Sequence, residues 1–341
     1  MRSMPLLVDG RFRNPWPTRE PEAIPGEAPP GNDPGHTGEF REFLEWRFGR
    51  EARAYRRSAR RPGWEPPRAT PAILPAGDPG TALTWIGHST WLLQTDGRAF
   101  LTDPIFGELP LIHRRGAPGI GIDGLRRLDA LLVSHDHYDH LEDRTVRKLP
   151  RDLPVFCGLG VGAWFRKRGF TAVLEMTWWD RADLDGREVT FVPARHFSGR
   201  TLTGRDRTLW GGFVVRGRGS VDGGVYYAGD TGWSPAFAQV GAAFPDLAGA
   251  VLPIGAYTPR WFMGPVHVDP HEAVEAFLAT GARTMACGHW GTFRLADEPM
   301  DEPPVLAREA AAKRGVADRV WVPAVGETRV LDEPRAVDES R

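Results

Sequence analysis

The apolar residues of this chain are grouped into short runs between residues 81 and 331, and their spacing alternates between strand-like and helix-like. Three runs rich in β-branched and aromatic residues, at 81–86, 90–95 and 99–102, follow one another with glycine-containing turns between them. They predict a meander of antiparallel strands at the start of one large domain.

Helical segments follow the meander and alternate with further strand-like runs. The segments with helical spacing lie near residues 142–148, 161–168, 234–240, 270–279 and 303–312. Pro270 and Pro303 suit the first turn of a helix, and Asp269 suits the cap in front of Pro270. The pattern alone predicts that helices and strands are mixed, without fixing their arrangement.

Residues 1–80 have a different character, because they hold 14 of the 31 prolines. We expect most of this stretch to lie across the domain as an extended arm. The exception is 39–61, where Phe40, Phe43 and Leu44 recur at helical spacing among eight arginines. This segment predicts a basic amphipathic helix, which either docks on the domain with its basic face in solvent or lies on anionic lipid. Residues 332–341 are predicted to be a C-terminal tail.

The overall charge gives no reason to expect nucleic acid as a partner. The 341 residues include 43 basic and 44 acidic side chains, a net charge of −1, so no global field attracts a polyanion. The two cysteines, Cys157 and Cys287, are too few for a disulfide framework and are expected in the core.

Hydropathy also bears on location. No apolar run reaches the roughly 20 residues of a membrane span, and the apolar stretch near the N-terminus ends at Asp9, too early for a secretory signal. We therefore expect a cytoplasmic protein, for which peripheral contact with a membrane stays open.

The densest chemistry in the sequence is at residues 134–141, Ser-His-Asp-His-Tyr-Asp-His-Leu, directly after an apolar run. A tight loop that leaves a buried strand can turn alternate side chains towards one point. Imidazole and carboxylate are the ligands that zinc, iron and manganese share. The spacing of His135, His137, Asp139 and His140 therefore predicts a metal site at the end of a strand.

Three further candidate ligands, His196, Asp230 and His289, each come shortly after another strand-like run. A single His or Asp at a strand end is more often a turn or cap residue, but with the first four these three make seven candidate ligands. A structural zinc needs only four protein ligands. A non-catalytic membrane-binding or partner-binding module with a structural metal is therefore the weaker alternative.

These seven residues resemble the ligand set of the dinuclear metallo-β-lactamase-fold hydrolases. The surrounding sequence is similar to the branch that hydrolyses N-acylphosphatidylethanolamine as a phospholipase D. The similar segments are 85–90, 101–106, 193–196, 227–232, 253–263, 267–270 and 289–293, with a weaker match at 12–17. The resemblance implies an α/β protein, a metallo-β-lactamase αββα sandwich at 81–331 with a proline-rich N-terminal extension at 1–80, and it implies a homodimer.

The resemblance also implies how the ligands divide between two metal ions. It assigns His135, His137 and His196 to one ion and Asp139, His140 and His289 to the other, with Asp230 bridging. Two zinc ions are expected, and manganese or iron suits the same ligands. Such a pair holds a bridging hydroxide as the nucleophile, which is the chemistry of a metal-dependent phosphodiesterase.

Other residues are implied to assist this centre. Asp103 matches a family position that orients ligand histidines, although an Asp-Pro turn also explains it. His88 matches the family too, and a structural histidine is an equally good explanation. His267 matches a residue near the substrate phosphate, and we expect it to join Asp139 and Asp230 in catalysis. The alternative for His267 is a capping or core histidine.

A phospholipid or another small phosphodiester is the expected substrate. The residues predicted to contact it are Tyr257, Arg260, Trp261, Phe262 and Met263. Aromatic and methionine side chains suit lipid tails, but they occur more often in a core. In the mammalian lipid enzyme a glutamine precedes the histidine that matches His267, whereas Val266 stands here.

A lactonase or sugar-phosphate lactonase with the same metals is the main alternative activity. A β-lactamase fits less well, because Asp230 stands at the bridging position and the lactamase cysteine is absent there. A nuclease is disfavoured by the near-neutral charge.

Overall fold

The computed structural model describes residues 2–17, 49, 61–125, 127–201, 203–217 and 223–331. The C-terminal tail at 332–341 lies outside these residues. The basic helix predicted for 39–61 also falls almost wholly outside them.

The first described residues form a hairpin, where an extended arm was expected. β1 (Leu6–Val8) pairs antiparallel with β2 (Arg11–Arg13) as a separate two-stranded sheet. Asp9 and Gly10 connect the strands with φ angles of 51° and 68°, as a tight two-residue turn requires. The prolines restrict the rest of the extension, but residues 6–13 contain none and are free to pair.

The first of two larger sheets contains the predicted meander. Its strands are β3 (Ala82–Gly87), β4 (Thr90–Thr95), β5 (Arg98–Thr102), β6 (Ala130–Val133), β7 (Val155–Gly158), β8 (Val173–Met176) and β16 (Thr328–Val330). Their order is β16-β3-β4-β5-β6-β7-β8. Strands β3 to β5 pair antiparallel, which confirms the meander, and β5 to β8 run parallel.

The second sheet has a similar plan. Its strands are β9 (Arg181–Leu184), β10 (Arg187–Val192), β11 (Gly212–Gly217), β12 (Val225–Tyr227), β13 (Gly249–Pro253), β14 (Thr284–Gly288) and β15 (Val320–Trp321). Strands β9 to β12 pair antiparallel, and β12 to β15 run parallel. Each sheet therefore has an antiparallel half and a parallel half.

The helices agree with the predicted segments. They are α1 (Asp143–Val146), α2 (Gly162–Arg166), α3 (Ala236–Ala243), α4 (Arg260–Met263), α5 (Pro270–Thr280) and α6 (Pro303–Lys313). Asp269 caps α5 in a reciprocal capping box with Glu272, as expected. Of the α-helices within the described residues, only the single turn α4 was not predicted. Among the described residues, no helix is long and apolar enough to cross a membrane.

The main core lies between the two sheets. Leu132 on β6 and Phe100 on β5 face Phe191 and Phe213 of the second sheet within one apolar cluster. The alternate residues of the same strands, such as Leu131, turn the other way and pack with α1 and α2. Helices α3, α5 and α6 cover the outer face of the second sheet. The layers are therefore helix, sheet, sheet, helix, which confirms the αββα sandwich.

This arrangement brings the predicted ligands together. The segment with the three histidines follows β6, Asp230 follows β12 and His289 follows β14. These strands lie in the parallel halves of the two sheets, so their carboxyl ends open at one edge of the sandwich. His196 reaches the same edge from the loop after β10.

Candidate metal centre

The loop after β6 turns tightly as soon as the strand ends. The backbone N–H groups of His140 and Leu141 both donate to the carbonyl of His137, at 3.2 and 2.9 Å. His135 and His140 are buried, and His137 and Asp139 are half-buried. The turn therefore directs side chains from a stretch of six residues into one interior space.

Three histidines form the first group of candidate ligands. The Nε2 atom of His135 lies 2.8 Å from Nδ1 of His137, and that nitrogen lies 3.3 Å from Nε2 of His196. The ligand atoms of all three lie within 4.8 Å of one another. The structure thus brings together the set that the resemblance implied for one ion.

The second group contains Asp139, His140 and His289, and it also includes His88. Oδ2 of Asp139 lies 3.4 Å from Nε2 of His140, 3.7 Å from Nε2 of His289 and 3.0 Å from Nε2 of His88. His88 is held in place by its backbone, because its carbonyl accepts a hydrogen bond from the N–H of His289 at 3.0 Å. The predicted supporting residue is therefore in direct contact with two ligands.

Asp230 lies between the two groups. Its Oδ2 is 3.0 Å from Nε2 of His140 and 3.1 Å from Nε2 of His289. The same oxygen is 3.9 Å from Nε2 of His196, which belongs to the first group. One carboxylate therefore faces histidines from both groups, in the position that a bridging ligand needs.

The donor set fits divalent metal ions. Nε2 of His140, Nε2 of His289 and Oδ1 of Asp230 are buried without a hydrogen-bond partner in the described structure. Buried polar atoms normally have a partner, and leaving one without costs about 1 to 3 kcal/mol. Convergent imidazole nitrogens and carboxylate oxygens in a buried space are the ligands that zinc, manganese and iron accept.

The electrostatics of the first histidine group favour the ligand form of each side chain. Burial lowers the pKa of His196 to about 3 and that of His137 to about 4. Burial also lowers the pKa of His135 well below its ordinary value. All three imidazoles are therefore neutral at neutral pH, as metal coordination requires.

Asp139 of the second group and the intervening Asp230 carry the negative charge. Although burial opposes ionisation, the charges of His140 and His289 hold the pKa of the Asp230 carboxyl well below its ordinary value. Burial likewise opposes the ionisation of Asp139, and His140 outweighs it. Against the effect of burial, Asp230 raises the pKa of His289 to about 9. The centre thus pairs ionised carboxylates with histidine protons that a bound cation would replace.

Asp103 supports His140 from behind, where the resemblance implied it. Its Oδ2 accepts hydrogen bonds from Nδ1 of His140 at 2.7 Å, from the hydroxyl of Ser134 at 2.5 Å and from the hydroxyl of Tyr227 at 2.5 Å. Its Oδ1 accepts from the N–H of Ser134 at 2.7 Å. A carboxylate on the far nitrogen of a ligand histidine fixes the ring and its tautomer.

Tyr227 and Ser134 were not identified from the sequence. Ser134 directly precedes the ligand loop, and its hydroxyl also lies 2.9 Å from Nδ1 of His135. Tyr227 is an inward-facing residue of β12, and an apolar run gives no sign that one hydroxyl in it reaches Asp103.

Arg200 is a further residue that the sequence pattern did not indicate. Its Nη1 donates to the carbonyls of Asp136 and Leu141 at 2.8 and 2.7 Å, and more weakly to that of His137 at 3.4 Å. Its guanidinium also stacks 4.2 Å from the ring centre of Tyr138. One cation therefore binds the backbone of the ligand loop at both ends.

His267 lies beside the two groups. Its ring centre is 5.1 Å from that of His196 and 5.4 Å from that of His289, and it forms a possible ligand group with His196 and Asp230. Its Nδ1 is buried and has no hydrogen-bond partner in the described structure. Burial lowers the pKa of His267 to about 3, so the ring is neutral. The ring of His267 therefore lies beside candidate ligands of both groups.

The residues predicted to contact substrate have different environments. The guanidinium of Arg260 is buried and donates to Glu272 at 2.7 Å and to the carbonyl of His267 at 2.9 Å. The hydroxyl of Tyr257 donates to Glu302 at 2.6 Å. The polar ends of Arg260 and Tyr257 thus have partners inside the protein, and for both residues the predicted contact with substrate stays a prediction.

The three apolar members of that set also differ from one another. Trp261 and Phe262 are half-buried on α4, with ring centres 5.6 Å apart. Met263 is buried with Ala256 and Ala296 in a small apolar cluster. Trp261 and Phe262 are therefore the members with surface available to a substrate.

The fold and the site together define a metal-dependent hydrolase of the metallo-β-lactamase fold. The chain belongs to the β-lactamase superfamily, since the model of the Beta-lactamase superfamily domain matches residues 98–290.

Three relatives are similar to this chain over more than half of their own length. An uncharacterized protein of Mycobacterium tuberculosis is 38% identical over 281 residues, which cover 79% of this chain and 74% of that protein. N-acyl-phosphatidylethanolamine-hydrolyzing phospholipase D 1 of Caenorhabditis elegans is 34% identical over 63% of this chain and 65% of its own length. The mitochondrial phospholipase D of the same description from Saccharomyces cerevisiae is 31% identical over 73% of this chain and 56% of its own length.

Solved structures agree on the fold. An isothiocyanate hydrolase from Delia radicum gut bacteria superposes with a TM-score of 0.60 at 22% identity, over 73% of this chain and 99% of that one. A metallo hydrolase from the archaeon Ignicoccus hospitalis gives a TM-score of 0.57 at 23% identity, over 74% and 98%. At such identities the likeness concerns the fold alone.

Proposed function

We propose that this protein is a dinuclear metal-dependent phosphodiesterase of the phospholipase D type, acting on N-acylphosphatidylethanolamine-like lipids. The observation that carries the dinuclear part is the position of Asp230, whose Oδ2 faces His140 and His289 of one group and His196 of the other. The phosphodiester part is supported by the two relatives that bear this activity in their names. Zinc is the proposed metal, because imidazole and carboxylate suit it.

When bound, two divalent cations lower the pKa of the attacking water and neutralise charge on the phosphoryl oxygens. The protein contributes the geometry. His135, His137 and His196 would hold one cation, and Asp139, His140 and His289 the other. Asp230 would join the two, and the buried Asp103 keeps the ring of His140 aimed at the centre.

His267 is the proposed contact for the substrate phosphate. Its neutral ring lies next to Asp230 and His196, and its Nδ1 is not engaged by any described residue. We assign it to the phosphate, where an N–H of the neutral ring would donate a hydrogen bond to a non-bridging or leaving oxygen. Arg260 fixes its position by binding its carbonyl.

The proposed lipid substrate requires an apolar surface near the metals. Trp261 and Phe262 on α4 precede His267 by a few residues and are only half-buried. They are the proposed contacts for acyl chains. A homodimer, peripheral membrane contact and a cytoplasmic location remain predictions from the sequence.

A hydrolysis assay with metal-reconstituted protein tests the proposal. Wild type and Asp230→Asn are each given N-acylphosphatidylethanolamine, a bis-aryl phosphodiester and a panel of lactones. Release of phosphatidic acid and N-acylethanolamine by wild type, with loss in Asp230→Asn, is the expected result. Turnover of lactones alone would overturn the phosphodiesterase assignment, and turnover of the aryl diester alone would overturn the lipid assignment.

A further inference from the structure

The N-terminal segment outside the matched family domain is packed against the loop that contains His196. The N–H of Phe12 donates to the carbonyl of Asp206 at 2.7 Å, and the side chain of Arg13 forms an ion pair with Asp206 at 3.0 Å. Phe12 is buried in the main core. The hairpin is thus fixed to the end of this loop.

The ends of the segment are fixed as well. The ring of Trp16 stacks on Trp178 with centres 5.6 Å apart, and its Nε1 donates to the hydroxyl of Ser3 at 3.0 Å. Nε1 of Trp179 donates to the carbonyl of Ser3 at 2.8 Å. Residues 2–17 therefore form an ordered clasp on the second sheet. We call this segment the N-terminal clasp.

Asn14 of the clasp contacts the backbone of a candidate ligand. Its Nδ2 donates to the carbonyl of His196 at 2.9 Å. On the other side, Nδ1 of His196 lies 3.0 Å from the carbonyl of Val266, to which it donates in the neutral ring. His196 is therefore held through its backbone by Asn14 and through its ring by Val266, which leaves Nε2 pointing to His137.

Arg195 connects the same two supports. Its Nη1 donates to the carbonyl of Pro17 in the clasp at 2.7 Å, and its Nε donates to the carbonyl of Pro265 at 3.0 Å. The clasp, the His196 loop and the segment that leads to His267 are thus linked by hydrogen bonds to backbone carbonyls. His196 is therefore flanked by contacts that join it to the clasp on one side and to the 265–267 segment on the other.

We propose that Asn14 is a positioning residue for the metal ligand His196 and that the N-terminal clasp is part of the metal centre. Residues 2–17 lie outside the matched family domain at 98–290. The metal-binding core of this chain is consequently incomplete without a segment more than 80 residues upstream of that domain. The inference concerns metal affinity and does not depend on which substrate is hydrolysed.

Metal titration of the full chain tests this role. Co²⁺ binding is followed by the absorption of the bound ion in competition with a chelator, and the binding step that needs His196 is identified as the one lost in His137→Ala. Asn14→Ala and Asn14→Asp are expected to weaken that step by about tenfold, the lower range for partners that support a metal ligand. Binding that requires His140 is expected to be unchanged.

The two variants separate positioning from packing. Asn14→Asp keeps the shape of the side chain but replaces the donor with an acceptor, which then faces the carbonyl of His196. Wild-type affinity in Asn14→Asp would overturn the proposal. Leu7→Ala is the matched control, since Leu7 is in the same clasp and is 64% exposed. An equal loss in Leu7→Ala, or an equal loss at both binding steps, would also overturn it.

Discussion

The hydroxyl of Tyr227 donates a hydrogen bond to Oδ2 of Asp103 at 2.5 Å, and this same oxygen accepts the Nδ1 proton of His140. Tyr227 thus contacts Asp103, and Asp103 in turn contacts the candidate ligand His140. The arrangement belongs to the buried side of the site: Asp103 is 0% exposed and Tyr227 2%.

Removing this hydroxyl should weaken metal binding. Tyr227→Phe keeps the ring in the core but takes one of the donors from Asp103, so His140 is less well oriented. We expect about a tenfold loss of metal affinity, as for other partners of ligand histidines. Tyr226→Phe is the control, because the Tyr226 hydroxyl is buried without a partner in the described structure. Chelator competition measures both, and equal affinities in the two variants would show that the hydroxyl of Tyr227 has no such role.

Replacement of His267 should affect turnover more than metal content. His267→Ala removes the ring beside Asp230 and His196, and we expect kcat to fall by about 100-fold, the lower scale for loss of one hydrogen-bond donor to the reacting group. The ligands stay in place, so metal stoichiometry by mass spectrometry should not change. His271→Ala, on the exposed start of α5, serves as the control. An unchanged kcat in His267→Ala would leave this histidine a structural residue.

Arg200 should be needed for the stability of the ligand loop. Its guanidinium donates to two carbonyls of the loop at less than 3 Å, and Arg200→Ala leaves these buried acceptors without a donor. We expect a loss of about 2 kcal/mol in the free energy of unfolding together with weaker metal binding. Arg207→Ala changes an exposed arginine a few residues further along and should have little effect. Denaturant unfolding of the two variants decides, and similar midpoints would contradict the prediction.

The metal should also stabilise the fold. A ligand that binds only the folded state adds about 2.7 kcal/mol when its free concentration is 100 times its Kd. We therefore expect Tm to rise with added Zn²⁺ in the metal-free protein and to fall again on chelation. The increase should be smaller in His135→Ala, which leaves the ligands of only the second ion intact. A Tm that does not respond to metal in the wild type would mean that these side chains do not bind it in the folded state.

The arrangement of the ligands was predictable from the sequence for a physical reason. His140, Asp230 and His289 each follow an apolar run, and the carboxyl ends of parallel strands lie at one edge of a sheet. A loop that starts there can only place its side chains near that edge. Short runs with turn residues also gave the meander and the longer helices, because their formation depends mainly on local pattern.

The supporting contacts of Asn14 and Tyr227 were not predictable, because they join residues far apart in the chain. Asn14 and His196 are separated by 182 positions, and Tyr227 and Asp103 by 124. A donor that reaches a carbonyl across such a distance leaves no periodic signal. The single turn α4 was missed for a related reason, since four residues are too few to show a helical period.

The direct test of the dinuclear centre is the anomalous diffraction of crystals soaked in Mn²⁺ or Zn²⁺, collected on either side of the metal absorption edge. We expect two peaks about 3.5 to 4 Å apart, one among His135, His137 and His196 and the other among Asp139, His140 and His289, with Asp230 between them. A single peak at full occupancy would contradict the dinuclear centre.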